Sequence, residues 1–250
     1  MRFTDSEWEA LVDVAELGAI AHGRMRRKLG PAVNWEGVIE RGLVKNYQGT
    51  PFGDVLGLTD RGRKVLKKLE PKEFGSIHYL ASPGSVTDRA FGNEALHLLR
   101  SKGYSRADEE YKFHTLRGER QPSNQITRYQ VRVPEEMMEA LEALPFQGHE
   151  FGKARRHAPT LGHPLLYATV SRGGANAARV EALSNEHEFD CTEWKHPLMI
   201  AVLRETQALR EIVRRANHEH AKRLEGIRRH FPTSTHWEHD QVQLLIVPVP

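Results

Sequence analysis

A chain of 250 residues and 28.5 kDa has room for one large domain or two modest ones. Its 39% hydrophobic and 28% charged residues exclude a chain disordered throughout, and no apolar run reaches the length of a membrane span. The formal charge of +3 and pI near 9.0 are too mild to establish a nucleic-acid partner on the average alone, so local clustering has to carry that argument. The single cysteine, Cys191, excludes an internal disulfide and a multi-cysteine zinc site, and fits a reducing compartment. Met1-Arg2-Phe3-Thr4-Asp5 reads as passing straight into an acidic helix rather than a secretory signal, so the expectation is a cytoplasmic protein with no membrane partner.

Residues 5–18 predict a first helix, with Trp8, Leu11, Val12, Ala15 and Leu17 as its apolar stripe and Thr4 or Asp5 as its cap. The next segment, 19–29, concentrates Arg24, Arg26, Arg27 and Lys28. Pro31 fits a first helical position, and Val33, Val38 and Ile39 then carry a short helix into Gly42, where Leu43-Val44 turns strand-like. Lys45-Asn46-Tyr47 leads into a turn at 48–53 rich in Gly and Pro, and Asp54–Leu58 returns, so this stretch predicts a β-hairpin. Thr59 caps a helix bearing Arg61, Arg63, Lys64, Lys67 and Lys68, with Val65, Leu66 and Leu69 expected to face inward.

Helix, hairpin, helix, with Gly42-Leu43-Val44 followed by a turn and then Leu58-Thr59-Asp60-Arg61-Gly62-Arg63, closely resembles the recognition helix, wing and last helix of winged helix-turn-helix DNA-binding proteins. The resemblance covers roughly the first 72 residues and implies a double-stranded DNA partner. On that basis Arg24, Arg26, Arg27 and Lys28 are expected to grip the DNA backbone. Asn34 has an amide suited to adenine, and Lys45, Asn46, Tyr47 and Gln48 on the wing, with Arg61 and Lys64 behind it, complete the expected contacts. The competing reading of each cation is a solvated face.

The helical signal ends around Glu70-Pro71-Lys72-Glu73, which sets a first domain at 1–72 and a second, α/β domain at 75–250. In the second, Ile77–Leu80 reads as a strand, and Ser85 or Thr87 as the cap of a helix with Phe91, Ala95, Leu98 and Leu99 inside. Residues 129–133 read as a strand and 134–144 as a helix, while Lys153, Arg155, Arg156 and His157 lie in a basic loop. Residues 164–170, 196–203 and 242–249 are strongly apolar strand candidates. A long helix at 206–231, with Leu209, Val213, Ala216, Leu224, Ile227 and Phe231 on one face, joins the last two and implies a βαβ crossover. The fold class expected is α+β: an N-terminal winged helix-turn-helix followed by an α/β domain with a mixed sheet.

Glu193-Trp194-Lys195 has the acid-x-lysine spacing that metal-dependent nucleases place on one face of a strand, yet no suitable partner acid precedes it. His218-Glu219-His220 and His236-Trp237-Glu238-His239 look like metal-ligand spacings, but helical positions 218 and 220 point apart and chance pairs are expected among 14 histidines. No cofactor and no metal site is therefore expected. The order of elements, with His78-Tyr79-Leu80 leading into a helix, also resembles the replication-relaxation family of plasmids and mobile elements, which implies plasmid DNA binding. The leading expectation is a sequence-specific double-stranded DNA-binding protein, a transcriptional regulator or a plasmid or mobile-element replication factor. Its second domain would serve homodimerisation, sensing or partner docking. The alternative is a metal-dependent DNA nuclease or nicking enzyme using Glu193 and Lys195.

Overall fold

Thr4 sets the start of the first helix. In the computed structural model, which describes residues 3–24, 35–75, 80, 82–106, 127–132, 165–171, 176–194, 198–230 and 240–250, the Thr4 hydroxyl accepts the Glu7 N–H. The Glu7 carboxylate accepts the Thr4 N–H at 2.9 Å, so the cap is reciprocal. Helix α1 (Asp5–Leu17) buries Ala10, Leu11, Val14 and Ala15, and Gly18 ends it. Strand β1 (Ala19–Ala21) follows where the sequence suggested only a basic segment. Residues 22–24 are helical, and helix α2 (Trp35–Glu40) follows among the described residues, then strands β2 (Val44–Thr50) and β3 (Gly53–Leu58) and helix α3 (Asp60–Leu69). The hairpin turn is shorter than expected, because β2 continues through Thr50 and only Pro51-Phe52 separate the strands.

The three strands form an antiparallel sheet in the order β1-β3-β2, with Ile20 opposite Leu56 and Asn46 opposite Leu56 from the other side. Strand alternation puts Ile20, Val44, Leu56 and Leu58 on one face, where they pack with Leu11, Val14, Trp35, Val38, Leu43 and Leu66. Leu69, expected inside, is 45% exposed, and buried Gly62 takes part of the inner face of α3 instead. The Thr59 hydroxyl donates to the Gly42 carbonyl at 2.6 Å and also accepts the Gly62 N–H at 3.0 Å, capping α3. Its backbone N–H donates to the Leu43 carbonyl at 3.0 Å. Gly62 is glycine for a steric reason: a Cβ there would run into the Leu43 carbonyl oxygen and lie 2.9 Å from Leu58 Cδ1. Thus Gly42-Leu43 and Thr59-x-x-Gly62 are one packed joint.

The chain divides into two compact units, residues 1–94 with 169–174 and 247–250, and residues 95–168 with 175–246. The first takes in all of 1–72 and also the start of helix α5 (Pro83–Arg100), which follows the short helix α4 (Pro71–Phe74). Ser82, rather than Ser85 or Thr87, caps α5, its hydroxyl accepting the Ser85 N–H at 3.1 Å. Asn93 donates to the carbonyls of Leu17 and Ala19 at 2.9 and 2.8 Å, so α5 is fixed to the entry of β1. Phe91, expected in the core of the second domain, instead meets Phe52 of the hairpin turn edge-on, with ring centres 5.1 Å apart. Asp88 accepts the N–H groups of Val170 and Ser171 at 2.7 and 2.9 Å and the Ser171 hydroxyl at 2.7 Å.

The second unit is built on a five-stranded sheet, β4 (Ser105–Arg106), β5 (Thr127–Arg132), β6 (Leu165–Ala168), β7 (Leu198–Val202) and β8 (Val242–Ile246), in that order. The β4–β5 and β5–β6 pairs are antiparallel, while β6–β7 and β7–β8 are parallel, so the sheet is mixed. The parallel pairs need crossovers, supplied by helices α6 (Ala177–Trp194) and α7 (Gln207–His230). Tyr167, Leu198, Ile200, Val202 and Val242 cluster with Val180, Leu183 and Leu209. The α7 stripe is as expected over Leu209, Val213, Ala216 and Leu224, with buried His220 as an unforeseen member. The whole described chain is thus α+β.

Several expectations lie outside the described residues: Pro31 at a helix start, the strand at 77–80 apart from Leu80, which is in no strand, the helix at 134–144 and the basic loop with Lys153, Arg155, Arg156 and His157.

Candidate nucleic-acid interface

The cations of the first unit fall into distinct environments. Arg24 is engaged: its guanidinium lies 2.7 Å from the Glu94 carboxylate, and both side chains are largely buried. It ties the helical stretch at 22–24, which follows β1, to α5. Arg26, Arg27, Lys28 and Asn34 lie outside the described residues.

On the hairpin, Lys45 and Gln48 are exposed, whereas Asn46 and Tyr47 are half-buried. The Lys45 ammonium stands 5.0 Å from the Tyr47 ring centre, a cation–π contact that holds the lysine along the outer surface of β2. Asn46 is on the opposite face, its Oδ1 buried without a hydrogen-bond partner among the described residues. The register shifts between Tyr47 and Thr50, and the exposed Gln48-Gly49 step lies in that irregularity. Gly49 has φ 64°, and its N–H donates to Asp54 Oδ1 at 3.3 Å. The hairpin therefore carries one acid beside its bulge as well as one base on its flank.

Helix α3 is the most strongly basic described element of this unit. Its inner face is Gly62 and Leu66, which leaves Arg61, Lys64 and Lys68, at helical spacings of three and four, exposed on one side. Asp60 takes up part of the charge, with Lys64 at 2.7 Å and Arg63 at 2.6 Å. These partners hold the Asp60 carboxyl below its ordinary value of 3.8, hydrogen bonding from Lys64 being the larger cause and that from Arg63 the next. No described carboxylate pairs with Arg61 or Lys68. Arg61 also lies beside the end of α2, since a Cβ on Gly42 would be 3.9 Å from its Nη1.

Sequence reasoning missed Arg41, which immediately follows α2. Its guanidinium is 3.3 Å from buried Glu7 and 5.6 Å from the Phe3 ring centre, so it ties the end of α2 to α1. Its place directly before Gly42 was the available signal. Lys68 was visible on the predicted helix, and only the observed packing separates it from the inward positions.

In the second unit, Glu193 belongs to the last turn of α6, not to a strand. The one-face argument for Glu193 and Lys195 does not apply there, and Lys195 lies outside the described residues. Among the described residues no group of His, Cys, Asp and Glu could hold a metal ion. The basic look of α7 is largely offset: Arg210, Arg214, Arg215, Lys222 and Arg229 pair with Glu205, Glu211, Glu181, Glu219 and Glu225. No described helix is long and apolar enough to cross a membrane. Compared with known proteins, the chain matches no family model, no curated protein and no solved structure.

Proposed function

We propose that the first unit is a winged-helix module and that the chain is a double-stranded DNA-binding protein, acting as a regulator or replication factor. The observation that carries this reading is the exposed row Arg61, Lys64 and Lys68 on α3, whose first member abuts the end of α2. A row of cations at helical spacing suits successive backbone phosphates, and α3 follows directly on the hairpin. Among the described residues, the order helix, strand, helical stretch at 22–24, helix, hairpin, helix, with the sheet order β1-β3-β2, supports the same reading. In this scheme α2, with Asn34 just before it, reads bases, and Lys45 and Gln48 on the hairpin reach the backbone or the minor groove.

Sequence specificity is tested by exposing the full-length chain to a random duplex pool and sequencing what is retained over successive rounds. A recurrent motif is the expected result. Retention without any enriched sequence would reduce the role to general DNA binding, and no retention would overturn the proposal.

A further inference from the structure

A β-hairpin attached only at its base is a mobile finger, because a two-stranded ribbon is at best marginally stable in water. The hairpin here is held elsewhere too. Phe52, at the turn, is 1% exposed, and its ring meets Phe91 of α5 at 5.1 Å. The Thr50 hydroxyl closes the turn by donating to the Gly53 carbonyl and accepting the Phe52 N–H, which aims the Phe52 ring inward. Nearer the base, α5 presses on the same face: a Cβ on Gly57 would lie 2.8 Å from Val86 Cγ1 and 3.2 Å from Tyr47 Cε2. Register explains why these meet, since Tyr47 opposes Val55 and Lys45 opposes Gly57, all on the face turned from the α1–α2–α3 core.

From this we infer that α5 is a backing for the hairpin, and that Phe52 and Phe91 are positioning residues fixing the angle at which the hairpin meets DNA. The inference rests on the DNA reading above. The Lys45 ammonium is carried by β2 and braced on the Tyr47 ring, so its position is set by this clamp. A preordered finger loses less conformational freedom on binding than a loose one, and the Phe52–Phe91 contact supplies that order in advance. Glu94, on the same helix, holds Arg24, so α5 also occupies one of the cations that the sequence assigned to DNA.

The test uses the full-length chain in two measurements, amide hydrogen exchange without DNA and affinity for a short mixed-sequence duplex. Phe52→Ala is expected to speed exchange across 44–58 by at least about tenfold while leaving α1 unchanged. Duplex affinity should fall several-fold, and Lys45→Ala should then cost less than it does in the wild type. Phe52→Leu, which keeps most of the apolar volume, should be intermediate in both, and it carries the test if the alanine variant does not fold. Unchanged hairpin exchange would overturn the clamp. Faster exchange with unchanged duplex affinity would overturn its role in binding. A wild-type chain that does not bind DNA would overturn the DNA half alone, because the exchange measurement judges the clamp without DNA.

Discussion

Replacing Gly62 with alanine puts a methyl group where α3 touches the end of the α2 segment. Helix propensity alone favours the change by about 1 kcal/mol. The structure opposes it, because the new Cβ would overlap the Leu43 carbonyl oxygen and crowd the Leu43 carbonyl carbon at 3.0 Å, and neither belongs to a side chain that can swing away. Helix α3 would have to retreat by on the order of 1 Å to restore ordinary contact. That retreat stretches the Thr59 bonds to Gly42 and Leu43 and loosens Leu58 and Leu66 in the core. Overpacking of this kind costs about 1 to 3 kcal/mol, and weakened hydrogen bonds add about 1 more, so the net loss is about 2 kcal/mol. For a unit of this size the transition should fall by roughly 8 to 16 °C. Calorimetry of the full-length chain measures it, with Gly226→Ala as the control, because a Cβ there meets no described atom within 4 Å. The control should be neutral or slightly stabilising. A Gly62→Ala chain that melts at or above the wild-type temperature would refute the steric account of the joint.

Other outcomes follow from single contacts. Asn217→Ala removes a side-chain amide that exchanges hydrogen bonds of 2.9 and 3.0 Å with the N–H and carbonyl of Val242, in effect a strand partner at the start of β8. It should cost about 1 to 2 kcal/mol in denaturant unfolding, with a smaller effect excluding that role. Glu7→Ala should lower stability and release Arg41, seen as loss of the cap and faster exchange at the end of α2, whereas Glu7→Gln keeps part of the cap; equal behaviour would argue against the ion pair. The Asp60 carboxyl titrates below 3.8 in the folded chain, so its contribution is present above that pH and is lost as pH falls through the lower folded value. Carboxyl NMR should show that midpoint moving up toward 3.8 in Lys64→Ala, and an unmoved midpoint would contradict the assigned cause.

What was legible in the sequence had local causes. Thr4 and Thr59 act as caps through neighbours three residues on, and the α7 stripe repeats at helical spacing, so these elements needed no distant partner to be read. Strand β1 was not legible, because Ala-Ile-Ala becomes a strand only by pairing with Val55–Gly57. Phe52 read only as part of a turn rich in Gly and Pro, since its partner Phe91 lies far along the chain. Helix α6 escaped because buried Val180 and Leu183 are followed by a largely polar run that carries no clear period. Of the candidate site, the exposure of Lys45, Arg61 and Lys64 follows from strand and helix spacing, whereas that of Gln48 comes from the break in register after Tyr47, which spacing alone does not show. The engagement of Arg24 by Glu94 could not be read, because the residues are 70 positions apart.

If the exposed face of α3 meets DNA phosphates, as proposed, a salt titration of duplex binding should read the contact out. Affinity of the full-length chain should fall linearly on a log–log plot against salt, with a slope of about −0.9 per neutralised phosphate. Changing Arg61, Lys64 and Lys68 together to alanine, with folding checked by circular dichroism, should weaken binding to every sequence and flatten the slope by about 2 to 3 units. A triple variant that is folded and binds with the wild-type affinity and slope would rule out α3 as the phosphate-binding face.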